Sequence, residues 1–429
     1  MTSILQDFST QQQLTLYSAI AVILLSSIVF ISKGWISNKF FSPTYAQSIK
    51  KEIRIQKLFI HPIKSCRGTS VSEAYFDEGG LRYDRSWLII DAQTKKFQTA
   101  RELPKMVVIS PKMDLANNTL EIRIPLKDEN KDDLIVETPL DPSKSELSKM
   151  EIIKGIIIWG EEADGYAVSK EADDALSLFF ERPVQLVRKG PSLRNAGPDD
   201  PRKEKSVMHF QDFYPILIAS KASIQHVRDT LIASIYPNLQ SSTKYNQDLP
   251  ANHAGVVKAF KVSDKISKER WTPQALESFP IERFRPNILV ESFNDDHGRD
   301  INKALVPWEE DAWTHIEVFD GRTSAASGKD AGGIGFGSSI IGKGTSIDCV
   351  ARCGRCLVPN VDPQQGIRDN FIPFSVMAKF RQVQPEYAKK GKPCFGVLAS
   401  PAQPSGLIKV GDIVRVTSVM DPKKRKLGK

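Results

Sequence analysis

The sequence predicts a mainly β chain of the α+β class, built as two β-barrel domains behind one transmembrane helix. Three observations carry that reading. Short apolar runs of alternating pattern, separated by turn residues, recur along most of the chain, whereas helical periodicity is sparse. The length of 429 residues accommodates two domains of ordinary size. Leu14–Ile31, "LTLYSAIAVILLSSIVFI", carries no charge and is just long enough to cross a bilayer.

The N-terminal tail, residues 1–13, has Asp7 as its sole charge, so it lacks the positive n-region of a cleaved signal peptide. Past the anchor (residues 14–32), the linker (33–51) and the chain just after it carry Lys33, Lys39, Lys50, Lys51 and Arg54. This Lys/Arg bias predicts a single-pass protein with its body on the cytosolic side.

Residues 52–188 read as the first domain. "EIRIQKLFIHPIKS" alternates like a strand and runs into a turn, and "GLRYDRSWLIID" reads as turn then strand. "MVVIS", "TLEIRI", "GIIIWG" and "VQLVRKG" continue as strands, interrupted by the amphipathic helix "KEADDALSLFFE". A Pro- and charge-rich boundary, "PSLRNAGPDDPRKEK", opens the second domain, residues 189–417. There "KASIQHVRDTLIASI" reads as a helix, "FRPNILVE" and "THIEVFDG" as strands, and "GLIKVGDIVRV" as a turn and final strand. The glycine-rich stretch near 321–346 breaks at "SSIIGKGTS" instead of opening a helix, so it reads as a surface loop and not as a phosphate loop.

Composition narrows the function. The net charge is +8, but much of it lies in the solvated basic tail, residues 418–429, and no basic stripe interleaves with aromatics. Nucleic acid is therefore not the expected partner. Five cysteines are too few and unevenly paired for a secreted disulfide scaffold.

Three of the five cysteines crowd into "IDCVARCGRCLVPNVDP" as Cys349, Cys353 and Cys356. The spacing is that of a radical iron–sulfur loop, although the alternating strands and helices of such an enzyme do not follow. Zinc would want a second ligand cluster, whereas Cys66 and Cys394 stand alone. A redox pair at Cys353 and Cys356 is a further option, as are plain buried cysteines. The last possibility uses one thiolate, kept ionised by Arg352 and Arg355, to ligate a soft metal held mainly by something else.

"ARCGRCLVPNVDPQQG" resembles the cysteine loop of the MOSC domain family, a Cys-x-Arg-Cys followed by a Val-Asp-Pro turn. "LFIHPIKSCRG" and "GLRYDRSWLIID" are similar to the MOSC N-terminal β-barrel domain, and "RFRPNILVE" to the strand preceding the cysteine loop. With the closing "IKVGD", the resemblance spans residues 52–417 apart from insertions. The anchor in front is similar to that of the membrane-bound, N-hydroxyl-reducing members of the family.

The resemblance implies a molybdenum cofactor, a pterin dithiolene with a terminal phosphate, in the cleft between the domains. It implies Cys356 as the metal ligand and catalytic residue. Lys64, Ser65, Arg85, Arg285, Asn287 and Arg355 then occupy cofactor-binding positions, and arginine forks suit a phosphate dianion. The implied activity is reduction of amidoximes and hydroxylamines, with electrons from cytochrome b5 and its reductase, at the mitochondrial outer membrane. The alternative is cofactor binding or sulfur transfer without reduction, although no pyridoxal-phosphate domain is expected within this length. Several positions depart from the family pattern: Phe213 and Tyr214 replace small hydroxyl residues, Gly354 precedes the loop arginine, Cys349 is an extra thiol, and insertions fall near 237–270 and 321–346.

Overall fold

A computed structural model describes residues 51, 53–126, 132–192, 194–197, 207–239, 254–292, 304–321 and 344–425. Seven strands close into a barrel. In hydrogen-bonding order they are Ile288–Ser292, Ile216–Ser220, Cys394–Pro401, Thr345–Gly354, Trp313–Phe319, Ile413–Val419 and Ile53–Ile60, which pairs back to Ile288–Ser292. Every neighbouring pair is antiparallel except Ile216–Ser220 with Ile288–Ser292. Alternation sends Ile53, Ile55, Ile216, Ile218, Ile288 and Val290 inward, where they meet Val414 and Val416 in one core.

Outside the barrel, the helix Lys221–Ile235 is capped by Ser220, whose side chain accepts from the Ser223 N–H. It buries Ile224, Val227, Leu231 and Ile235, a helical stripe that packs with Phe279, Phe284 and Phe395.

The first lobe holds a four-stranded sheet in the order Trp87–Asp91, Val184–Lys189, Glu161–Ala167, Ile152–Ile158. A three-stranded sheet, Ser110–Asp114, Thr119–Ile124 and Leu134–Pro139, faces the same core. The helix Lys170–Phe180, capped by Ser169, contributes Ala172, Leu176 and Phe180, spaced four apart on one face.

Several expectations need correction. The strand Ile53–Ile60, assigned from sequence to the first domain, completes the second domain's barrel. Alternation specifies which face is buried and not which strand is the partner. The first lobe is hydrogen-bonded among the described residues as separate sheets, not as one closed barrel. "MVVIS" is mostly a 3-10 turn, Pro104–Val108, because proline at its start presets φ and removes a ladder donor. The expected anchor, residues 14–32, lies outside the described residues. Within them, no helix is long and apolar enough to cross a membrane.

Candidate functional site

Lys64, Ser65, Arg85, Arg285, Asn287, Arg355 and Cys356 come from distant segments, and all line one cleft of about 270 Å³. The loop after Ile53–Ile60 brings in the first two. It is fixed by Lys64 N–H to the Trp87 carbonyl (2.9 Å), Cys66 N–H to the Ile63 carbonyl (3.1 Å) and His61 N–H to Asp84 Oδ1 (2.8 Å). Arg85 N–H donates to the His61 carbonyl at 2.7 Å, so the two first-lobe motifs are bound to each other.

Three of these seven residues sit in left-handed backbone: Ser65 at φ 70°, Arg85 at φ 49° and Arg285 at φ 55°. That conformation costs an L-residue roughly 1–2 kcal/mol. It persists where surrounding contacts over-determine it, commonly at functional sites. Arg285 is held by its N–H to the Glu282 carbonyl at 3.0 Å, closing the 3-10 turn Ile281–Phe284.

Side chains cross-link the lobes. Arg85 Nη1 donates to Asp84 Oδ2 at 2.5 Å and to Asn287 Oδ1 at 3.1 Å, and its Nη2 to the Arg285 carbonyl at 3.2 Å. Arg285 Nη1 donates to the Cys66 carbonyl at 2.6 Å. Burial would raise the Asp84 carboxyl, but the Arg85 guanidinium and His61 outweigh it and bring it down to about 2.

The cysteine loop leaves the barrel at Gly354, where an added Cβ would lie 2.6 Å from the Tyr387 ring. Arg355 N–H donates to the Pro393 carbonyl at 2.7 Å, and its Nη2 to the Phe284 carbonyl at 2.8 Å. Phe284 in turn stacks on Phe395 with centroids 3.9 Å apart, a rigid floor for the loop. The Arg355 Nη1 contact goes to Cys353 Sγ, at 3.0 Å. Burial nevertheless leaves the Cys353 thiol raised, with the Arg355 charge opposing. Cys353 and Cys356 line the cleft, whereas Cys349 is buried in the barrel core and burial pushes it up to about 12. The three thiols thus do not converge as an iron–sulfur loop requires. Among the described residues no group of His, Cys, Asp or Glu could hold a metal unaided.

Arg352 does not serve the thiols as expected. It is buried in a separate network, with Nε 3.3 Å from Asp311 and Nη1 donating to Gln384 at 2.8 Å.

The cleft fits an anionic group. Burial first, and then the Arg85 charge, lower Arg285 to about 9, and Arg355 adds to the repulsion. Arg285 Nη2 is buried without a hydrogen-bond partner, an open donor among converging cations. Such an arrangement suits a phosphate or a polar pterin edge.

Sequence reasoning missed Asp212, Trp159, Arg101, Tyr387 and Lys392, which line the same cleft. Lys64 Nζ is paired with Asp212 and donates to the Phe210 carbonyl at 2.6 Å. Trp159 Nε1 donates to the same Asp212 oxygen at 2.9 Å. The "IIIWGEE" turn signal was visible in the sequence, but its proximity to Lys64 was not.

A closed barrel joined to a second β lobe, with a basic cleft and a thiol loop between them, defines a two-domain protein whose cleft is suited to an anionic group. The chain belongs to the MOSC family: residues 52–183 match the MOSC N-terminal beta barrel domain and residues 250–415 the MOSC domain. It is 26% identical to mitochondrial amidoxime-reducing component 1 of Mus musculus, over 90% of this chain and 88% of that one. It is also 26% identical to mitochondrial amidoxime reducing component 2 of Homo sapiens, over 84% and 82%. Molybdenum cofactor sulfurase of Danio rerio is 23% identical over 80% of this chain, but only 31% of the sulfurase is matched.

Proposed function

We propose that this chain is a molybdenum-cofactor-dependent oxidoreductase that reduces N-hydroxylated compounds, such as amidoximes and hydroxylamines. Each turnover takes two electrons and two protons and yields the N–H compound and water. One observation carries the reading: the motif positions from four segments line one cleft, where the buried Arg285 Nη2 has no partner. Amidoxime-reducing relatives matched over most of their length support it.

The cofactor supplies the two-electron redox change. The chain's residues bind and orient it: Arg85, Arg285 and Arg355 offer guanidinium donors, Lys64 an ammonium, and Ser65 and Asn287 neutral groups. Cys356, which lines the cleft, would hold the metal through its sulfur. Electrons come from cytochrome b5 and its reductase, and Leu14–Ile31 anchors the chain in a mitochondrial outer membrane with the lobes in the cytosol.

Metal and pterin analysis of the purified chain, combined with reduction of benzamidoxime by a reconstituted cytochrome b5 chain, tests this. Bound molybdopterin with turnover is expected. Bound molybdopterin without turnover of any N-hydroxylated compound would favour the second reading, cofactor binding or sulfur transfer, which the sulfurase relative supports.

A further inference from the structure

The outer part of the cleft is built from residues that the cofactor motifs do not include. Ile152–Ile158 and Glu161–Ala167 form a hairpin in which Ile158 pairs with Glu161, leaving Trp159 and Gly160 as a two-residue tip. Both tip residues have positive φ, 54° and 95°. Such a turn prefers Asn, Asp or Gly at its first position. A tryptophan there is explained by its side chain, not by the turn.

That side chain is held in place yet remains open. Its N–H donates to Asp212 at 2.9 Å, the Phe97 ring meets it edge-on at 5.2 Å, and the Arg101 guanidinium lies 4.2 Å from its centroid. Trp159 as a residue is still 42% exposed, and Phe213 in the same cleft 50%. The fixed Trp159 ring and the exposed Phe213 ring offer apolar aromatic surface in the cleft.

Charge in the same cleft is unbalanced. Arg101 and Lys392 line the cleft, and no carboxylate among the described residues hydrogen-bonds to either. Among the described residues one carboxylate lines the cleft, Asp212; it is bonded to Lys64 and Trp159, and its charge is shared with Arg101 as well. Arg85 is paired with Asp84, while Arg285 and Arg355 are directed to the cofactor in the reading above. Lys64, Arg101 and Lys392 thus share a single carboxylate, and positive charge outside the cofactor motifs is in excess.

We infer that the cleft selects aromatic N-hydroxylated substrates bearing a carboxylate or phosphate, with Trp159 and Phe213 seating the ring and Arg101 and Lys392 taking the anion. This rests on the reductase reading for its chemistry but not for its binding. A charge-assisted contact of this kind corresponds to roughly tenfold in affinity.

The cofactor-loaded full-length chain in detergent is assayed with an artificial electron donor on benzamidoxime and 4-carboxybenzamidoxime. The carboxylated compound is expected to show about tenfold higher kcat/KM, expressed in KM. Arg101→Gln combined with Lys392→Gln should bring the ratio near one, whereas Lys170→Gln on an exposed helix should leave it unchanged. Trp159→Ala should remove the advantage of benzamidoxime over acetamidoxime. Calorimetric binding of the two aromatic compounds, without donor, repeats the comparison free of turnover. Tighter binding of the carboxylate with no reduction of either compound overturns the reductase reading and supports this one. Equal affinities, or a preference that survives the double variant, overturn the inference even if both compounds are reduced.

Discussion

The Arg85 guanidinium reaches across 202 residues of sequence to hydrogen-bond Asn287 Oδ1 at 3.1 Å. Asn287 is buried at the start of a barrel strand, receiving Leu217 N–H on the same Oδ1 and donating from Nδ2 to the Phe59 carbonyl. One amide thus ties the first lobe's arginine to the barrel. Displacement of either residue moves a cation that faces the cleft.

Charge removal separates an anion site from a structural ion pair. Arg285→Gln should lower pterin content about tenfold or more while far-UV circular dichroism stays that of the parent, because the lost guanidinium carries the open Nη2 donor. Full pterin occupancy in this variant would take Arg285 out of the site.

The thiols should divide by position. Cys356→Ala should abolish benzamidoxime reduction. Cys349→Ala, in the barrel core, should remain active at a cost of about 1 kcal/mol in stability. Burial holds Cys66, Cys349 and Cys394 up to about 12, so alkylation of the native chain at pH 8 should spare all three. Activity of Cys356→Ala equal to the parent's would remove it as metal ligand.

Asp84 contributes pH-dependent stability. Its carboxyl is lowered from 3.8 to about 2 in the folded chain, so the contribution is present above about pH 4 and lost as pH falls through 2. Asp84→Asn should therefore unfold about 2 kcal/mol more easily at pH 7. Denaturant titrations should show the gap closing between pH 4 and pH 2, and a gap independent of pH would assign the effect to packing alone.

The anchor is tested by extraction. Membranes washed with alkaline carbonate should retain the full chain, whereas a chain beginning at Gln47, the start of the compact unit, should be recovered in the supernatant. Protease added to intact organelles should digest the lobes. Their protection until the membrane is broken would reverse the orientation.

Local sequence determined what is local. The helices Lys170–Phe180 and Lys221–Ile235 coincide with the amphipathic stretches read from the sequence, and the strands at Thr119–Ile124, Val184–Lys189, Ile288–Ser292 and Trp313–Phe319 with its alternating runs. Periodicity and capping reside in neighbouring residues, and so does the motif chemistry of "CGRC" and "FRPN". Partners were decided by tertiary structure: Ile53–Ile60 crossing into the second domain's barrel, Arg352 turning to Asp311, Lys64 meeting Asp212, and Trp159 lining the cleft. A residue's periodicity says which way it faces. What it meets there depends on contacts between segments far apart in sequence, which only closure of the barrel brings together.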